Sequence, residues 1–226
     1  MKVRLISYSQ APEQVQLEDC QELVAYCARV SNPSNQMNAE TSEKLIKYLI
    51  KHKHWSPLEM VSACLEIETT RDIAHQIVRH RSFAFQEFSQ RYAKPEDMGD
   101  ARVLRDARFQ DPKNRQNSIE LDRDNEQQRR LNEDFRMKQA KLYNEAQEVY
   151  NWAINNGIAK EQARVVLPEG NTKTRLYMNG SLRSWVHYIE LRGANGTQLE
   201  HMEIAQQCAY VIAEIFPLME KLDEIS

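Results

Sequence analysis

The stretch Arg79–Tyr92 reads RHRSFAFQEFSQRY, and the chain on either side is read outward from it. Arg79, Arg81 and Arg91 stand there among His80, Ser82, Gln86, Glu87, Ser89 and Gln90, interleaved with Phe83, Phe85, Phe88 and Tyr92. Guanidinium groups hold phosphates and carbonyls as rigid two-pronged donors, and aromatic rings offer flat faces to a heterocycle. A single carboxylate among such cations can orient them or accept from a ring N–H. The chemistry indicated is a site for a phosphorylated, ring-bearing small molecule. Composition alone favours a plainer assignment, with the arginines on a solvated face and the phenylalanines in a core. Local geometry shifts that balance.

Just upstream, Val61, Ala63, Leu65 and Ile67 alternate with Ser62, Cys64, Glu66 and Glu68, the two-residue period of a half-buried strand. Thr69–Asp72 then offers helix N-caps, and Ile73, Ile77 and Val78 form an apolar stripe. On that short helix Gln76, Arg79 and His80 lie three and four residues apart and share a face. With the chain extended beyond Phe85, Glu87, Ser89 and Arg91 point to one side. A helix end and an extended segment thus aim six polar groups into one cleft.

The remaining composition narrows the class. A chain of 226 residues with 41% hydrophobic content is long enough to bury a real core. A net charge of −3 argues against a dedicated nucleic-acid binder, whose footprint is strongly basic. The opening MKVRLISYSQ lacks the apolar run of a signal peptide, and no stretch nears the ~18 apolar residues of a membrane span. The expected location is the cytoplasm, away from membranes. Cys20, Cys27, Cys64 and Cys208 form no C-x-x-C pair, and His52 with His54 lacks a third ligand of suitable spacing, so no metal is expected.

The other elements read as follows. Val3, Leu5 and Tyr8 open a strand. Asp19 and Glu22 start a helix carrying Leu23, Val24, Cys27 and Val30, stopped by Asn32-Pro33. A second helix runs from Thr41 to His52. Residues 93–117 read as irregular, with one strand near Arg102–Phe109. From Ser118 the pattern predicts a long helix, with Leu131, Phe135, Leu142, Ala146, Val149 and Ala153 at helical spacing and Gly157 as its C-cap. Thr174–Met178 reads as a strand, and Ser181 caps a helix reaching Arg192. Thr197 and Glu200 cap the last helix, whose stripe is Ile204, Cys208, Val211, Ile212 and Ile215. The fold class expected is α/β (α+β): a mixed, largely antiparallel sheet with long flanking helices, in one domain over residues 1–226.

Arg79-His80-Arg81, seven residues, then Ser89-x-Arg91 resembles the signature of the flavin-dependent thymidylate synthases. A longer form of that signature has another serine three residues after the second arginine, where this chain has Ala84. Further blocks are similar to family segments: Ala28–Ser31 (ARVS), His54-x-Ser56-Pro57-x-Glu59, Ala163-Arg164-x-x-Leu167-Pro168, Arg183 with His187, and Arg192 at a helix end. The likeness spans Ala28 to about Phe216, with 93–156 matching only in length and helicity.

The resemblance implies methylation of dUMP to dTMP. The carbon would come from methylenetetrahydrofolate, and the hydride from reduced FAD recharged by NADPH. It implies dUMP contacts from Gln76, Arg79, Glu87, Phe88, Ser89, Gln90, Arg91, Arg164 and Arg192, with Arg192 the catalytic residue beside the uracil ring. It implies FAD contacts from His54, Ser56, Glu59, Arg79, His80, Arg81, Glu87, Arg183 and His187. Ser31 reads more simply as a turn residue. Many members carry a flavin-facing histidine four residues after the Arg192 position; here the loop is longer, and either Gln198 or His201 replaces it. A homotetramer with active sites at subunit interfaces is also implied. With only 6 Gly and no G-x-G-x-x-G or P-loop, no Rossmann cradle is available, so a dinucleotide must be held by side chains. Two rivals remain at this level. One is a nucleic-acid module stacking bases on the aromatic stretch; the other is a flavoprotein reductase without synthase activity.

Overall fold

The computed structural model describes residues 1–194 and 196–221. A four-stranded sheet occupies its centre, built from Lys2–Tyr8 (β1), Ser62–Thr70 (β2), Ala84–Glu87 (β3) and Lys173–Ser181 (β6) in the order β1-β2-β6-β3. Every pairing in it is antiparallel. A two-stranded ribbon, Arg108–Gln110 (β4) with Ser118–Glu120 (β5), stands apart from it.

Antiparallel strands allow one face to be buried and the other polar, and β2 and β6 use that freedom. Ala63, Leu65 and Ile67 of β2 and Leu176 and Met178 of β6 face the core, with Leu65 opposite Met178 and Ile67 opposite Leu176. On the other face Arg175 pairs with Glu68, and Arg4 holds the buried Glu66 at 3.0 Å. The alternation read in Val61–Glu68 is therefore a division between core and an ion-paired surface.

Helices Cys20–Ala28 (α1), Ser42–Lys51 (α2), Arg71–Ile77 (α3), Leu182–Gly193 (α6) and Leu199–Ala213 (α7) surround that core. Ile46, Leu58, Ile73, Ile77, Trp185, Ile204, Cys208 and Ile212 are fully buried in one cluster with the sheet. Truncating such a residue to alanine costs ~2–5 kcal/mol. The expected N-cap of α1 is present, with Asp19 accepting from the Glu22 amide at 2.8 Å. Ser181 caps α6 through the Ser184 amide, and the Trp185 indole donates to the Ala63 carbonyl at 3.0 Å, locking α6 onto β2.

The long helix Glu126–Asn155 (α4) and the short Lys160–Ala163 (α5) complete the fold. Gly157, with φ 78°, takes the left-handed conformation that ends α4. The start of α4 corrects the sequence reading. Residues 118–120 pair as β5, and the helix begins only after Asn125, whose side chain accepts from the Gln127 and Gln128 amides. An Asn N-cap outweighed the apolar periodicity further along. The expected strand near Arg102–Phe109 survives only at its end, as β4, with Arg102 making an isolated bridge to Thr172. α7 also differs from expectation: its N-cap is Gln198, without a capping side chain.

Candidate active site

Helix α3 ends at Ile77, a turn earlier than the shared face of Gln76, Arg79 and His80 requires. Its last backbone bonds tighten, Arg79 N–H to Gln76 and His80 N–H to Ile77, and the chain turns out towards β3. Phe83 anchors this turn. Its ring meets Trp185 edge-on at 4.8 Å and lies over Gly180, where a Cβ would come within 2.4 Å of it. Ser184 donates to the Ser82 carbonyl at 3.3 Å. With the aromatic side chain turned in, Arg79 and Arg81 are left exposed, and neither makes a side-chain hydrogen bond or ion pair among the described residues. The interleaving of cations and rings thus becomes an inside and an outside.

His80 and Gln76 reach the same place by different routes. Arg192, at the end of α6, donates through Nε to His80 Nε2 at 3.0 Å, joining positions 112 residues apart. Because that nitrogen accepts, His80 is neutral, and burial together with the Arg192 charge pushes its pKa below the usual histidine value. Gln76 stands between Gln198, to which its amide donates at 2.8 Å, and His201, whose Nδ1 lies 3.3 Å from its carbonyl oxygen. His201 is 0% exposed, and its Nε2 lies 3.1 Å from the Tyr188 hydroxyl. Gln198 donates to Glu200, and Arg108 grips the same carboxylate at 2.6 Å. Arg105 completes this corner by bonding Asp72 and Thr70, each at 2.8 Å.

The other expected site residues form separate groups. Glu87 accepts from Arg71 at 3.3 Å and from Thr174 at 2.9 Å, at the end of β3. The chain then leaves extended geometry: Tyr92 and Ala93 both bond back to the Ser89 carbonyl, so Ser89 and Arg91 lie in a turn and not along one strand face with Glu87. Ser89 Oγ accepts from the Arg91 amide, and the Arg91 side chain meets Glu161 at 3.3 Å. Phe88 is half-buried, and its amide bonds the Arg175 carbonyl at 2.8 Å. Gln90 is 2% exposed, yet its side-chain nitrogen has no partner among the described residues. Arg164 follows α5, half-buried. In a third group Arg183 binds Glu59 at 2.7 Å, and His187 meets Trp55 edge-on at 4.5 Å. Hydrogen bonds from Ser181 and Arg183 hold the Glu59 carboxyl below its ordinary pKa. His54 and Ser56 are exposed beside them.

The alternatives for the flavin-facing position both turn inward. His201 has both ring nitrogens engaged, and Gln198 uses its oxygen on Gln76 and its nitrogen on Glu200. Asn195, in the same longer loop, lies outside the described residues. Sequence reading assigned no role to Tyr188 or Arg108. A tyrosine at a wholly buried position was the available signal, since its hydroxyl must find a partner. Nothing in an irregular segment announces Arg108. A cavity of about 500 Å³ opens beside it, lined by Arg105, Arg108, Arg123, Arg129 and Glu200, and none of the motif residues lines it.

The donor set suits a flavin dinucleotide. A pyrophosphate needs cations free to bind it, and Arg79 and Arg81 are exposed and without side-chain partners among the described residues. The Gln90 nitrogen and the buried Arg183 Nε are further donors with no acceptor among the described residues. These features fit a site that a ligand or a second subunit completes.

Comparison with known proteins agrees with this geometry. The family described as thymidylate synthase complementing protein matches residues 4–218. A probable flavin-dependent thymidylate synthase of Paramecium bursaria Chlorella virus 1 is 47% identical over 221 residues, 98% of each chain. The flavin-dependent thymidylate synthase of Synechocystis is 48% identical over 195 residues, covering 86% of this chain and 85% of that protein. Among solved structures, a UMP/dUMP methylase, PolB, from Streptomyces cacaoi with bound 5-bromo-dUMP superposes with a TM-score of 0.77 at 25% identity. That match covers 98% of this chain and 93% of the other. The exposed arginine loop, the partnerless donors and these relatives lead to one assignment: the chain belongs to the flavin-dependent thymidylate synthase family.

Proposed function

We propose that this chain converts dUMP to dTMP, with methylenetetrahydrofolate as carbon donor, FAD as its flavin and NADPH as reductant. The observation that carries the reading is the contact of Arg192 with His80 at 3.0 Å, which brings the RHR segment and the arginine at the end of α6 together. Arg192 donates only through Nε there, so the rest of its guanidinium is available to the uracil carbonyls and to an ionised N3. Such preorganised charge in a partly dry site is worth more than in water. Arg192 is thus the catalytic residue of this chain, polarising the ring.

The nucleotide is held by Gln76, Arg79, Glu87, Phe88, Ser89, Gln90, Arg91, Arg164 and Arg192. His54, Ser56, Glu59, Arg79, His80, Arg81, Glu87, Arg183 and His187 hold the FAD. When bound there, the flavin supplies the hydride and one-carbon chemistry that no side chain can perform. The protein contributes positioning.

The whole chain works as one domain within a homotetramer whose subunits complete one another's sites. An exposed seam on α4 supports this: Leu131, Phe135, Leu142, Val149 and Trp152 lie on it, with Leu142 56% and Trp152 61% exposed. A contiguous exposed apolar stripe on a soluble helix marks an interface. The test is direct. The purified protein should be yellow, its flavin absorbance should shift when dUMP is added, and dTMP should form only with methylenetetrahydrofolate and a reductant. A colourless preparation that takes up no FAD sinks the reading.

A further inference from the structure

We propose that Tyr188 and His201 are positioning residues that fix the orientation of the Gln76 side-chain amide towards the nucleotide. A carboxylate sets the first polarity. Glu200 is 5% exposed; burial raises its pKa, but hydrogen bonds from its own backbone, Gln198 and Arg108 outweigh this and hold it below the ordinary value. An ionised carboxylate only accepts, so the Gln198 group facing it at 2.9 Å is the NH2. The Gln198 oxygen is then the atom facing Gln76, and Gln76 must turn its NH2 towards it at 2.8 Å. The Gln76 oxygen therefore faces His201, whose Nδ1 must carry the proton. His201 Nε2 is left bare and accepts from the Tyr188 hydroxyl. Each polarity in this chain follows from the one before.

A glutamine amide is normally free to exchange its oxygen and nitrogen by a half-turn, and offers a ligand either pattern. Here that half-turn would set the Gln76 NH2 against the Nδ1 proton of His201 and its oxygen against the Gln198 oxygen. With His201 in this tautomer, two part-buried repulsive contacts would replace two hydrogen bonds. Burial holds the Tyr188 hydroxyl well above its usual pKa, so it keeps its proton to donate to the bare His201 Nε2. His201 stays uncharged at neutral pH for the same reason, with Arg192 and His80 adding to the effect. Gln76 thus keeps one N–H and one oxygen lone pair for a ligand, in a single arrangement.

This inference rests on Gln76 being a nucleotide contact, and the experiment separates the two. In the FAD-loaded enzyme, the dUMP dissociation constant is read from the flavin absorbance change for Gln76→Ala, His201→Phe, His201→Asn and Tyr188→Phe. His201→Phe removes the donor to Gln76 and should weaken dUMP binding about tenfold with flavin content unchanged. His201→Asn keeps an N–H near the Nδ1 position and should restore most of that affinity. Tyr188→Phe should act in the same direction as His201→Phe, more weakly. Nitrogen-15 spectra of histidine-labelled protein, with His201→Asn as the subtraction control, should show His201 protonated at Nδ1 and bare at Nε2. Normal dUMP affinity in Gln76→Ala would remove Gln76 from the nucleotide site. Weakened binding in Gln76→Ala but not in His201→Phe overturns the positioning role alone. If His201→Phe does not fold, unchanged affinity in Tyr188→Phe, or a proton found on Nε2, overturns it equally.

Discussion

Two halves of the candidate site are built on opposite plans. Around Gln76 the polar atoms are largely buried and matched: His201, Tyr188, Gln198, Glu200 and Arg108 form an unbroken chain of hydrogen bonds, from the fully buried His201–Tyr188 pair to part-buried bonds at Gln198 and Arg108. Around the RHR turn Arg79 and Arg81 reach outward, exposed and without side-chain partners among the described residues. Elsewhere in the candidate site the buried Gln90 nitrogen and Arg183 Nε have no acceptor among them either. A buried network is costly unless every member is satisfied, so it is complete before any ligand arrives. Exposed arginines carry no such penalty and can wait for a phosphate. The first half can set geometry, and the second can supply affinity. Arg192 bonds His80, and the His80 ring meets Tyr188 edge-on at 4.9 Å, so that histidine joins the two halves.

The largest effect should come from that joining residue. Arg192→Ala removes a charge-assisted contact from a desolvated place, worth ~2–5 kcal/mol, and should lower dTMP formation by roughly two to three orders of magnitude. Flavin content and melting temperature should stay near those of the parent. Retained turnover would show that the two halves are not coupled through this guanidinium.

The buried half should reveal itself in the pH dependence of stability. His201 has its pKa lowered to about 4, by burial first and by Arg192 and His80 after it. Its folded pKa lies below its unfolded one, so the unfolded chain binds the proton first. Stability is fully present above about pH 6.5 and declines as pH falls towards 4, by ~3 kcal/mol. Urea midpoints at a fixed protein concentration measure this, and His201→Asn should flatten the decline between those limits. An equally steep decline in His201→Asn would place the titration elsewhere.

The exposed half should respond in the opposite manner. Arg79→Ala and Arg81→Ala should each weaken FAD binding by ~1.5–3 kcal/mol, the value of a hydrogen bond to a charged group, and leave the melting temperature unmoved. Arg105→Ala, which breaks part-buried bonds to Asp72 and Thr70, should lower the melting temperature and leave FAD affinity nearly intact. If both kinds of variant lost stability, the distinction between the halves would fail.

The smallest effect is expected at the cysteines. Burial raises the pKa of all four: Cys20 to about 11, with Asp19 adding to it, and Cys27, Cys64 and Cys208 by burial alone. A reactive thiolate needs a positive, accessible setting, which none has. Cys64 lies opposite Asn179 in the sheet, and Cys64→Ser should leave dTMP formation unchanged. Selective loss of turnover there, with flavin and dUMP still bound, would give a cysteine a chemical role after all.

Much of this molecule was open to reading from sequence. The two-period of Val61–Glu68, the Asp19 and Ser181 caps and the stripe of α7 are local patterns, and each matches a strand, a cap or a buried face. The spacing of the RHR and Ser89-x-Arg91 anchors identified the family because both ends of that motif lie within one short stretch of chain. Local patterning failed where two signals competed. Asn125 started α4 later than its apolar period suggested, and α3 stopped at Ile77, before Arg79 and His80 could share its face.

What only the tertiary structure decided is which distant residues meet. Gln76 and His201 are 125 positions apart, and His80 and Arg192 are 112. No period or spacing carries that information, because it depends on how α3, α6 and α7 pack around the sheet. The division of the arginine-rich stretch into an inward Phe83 and outward Arg79 and Arg81 is of the same kind. It depends on Gly180 of β6, whose missing side chain leaves room for the Phe83 ring, about a hundred residues away in sequence. Sequence alone named the side chains proposed for the site. Burial then determined which of them are held by partners within the chain and which remain free for a ligand, since only a folded interior removes the water that would otherwise satisfy them all.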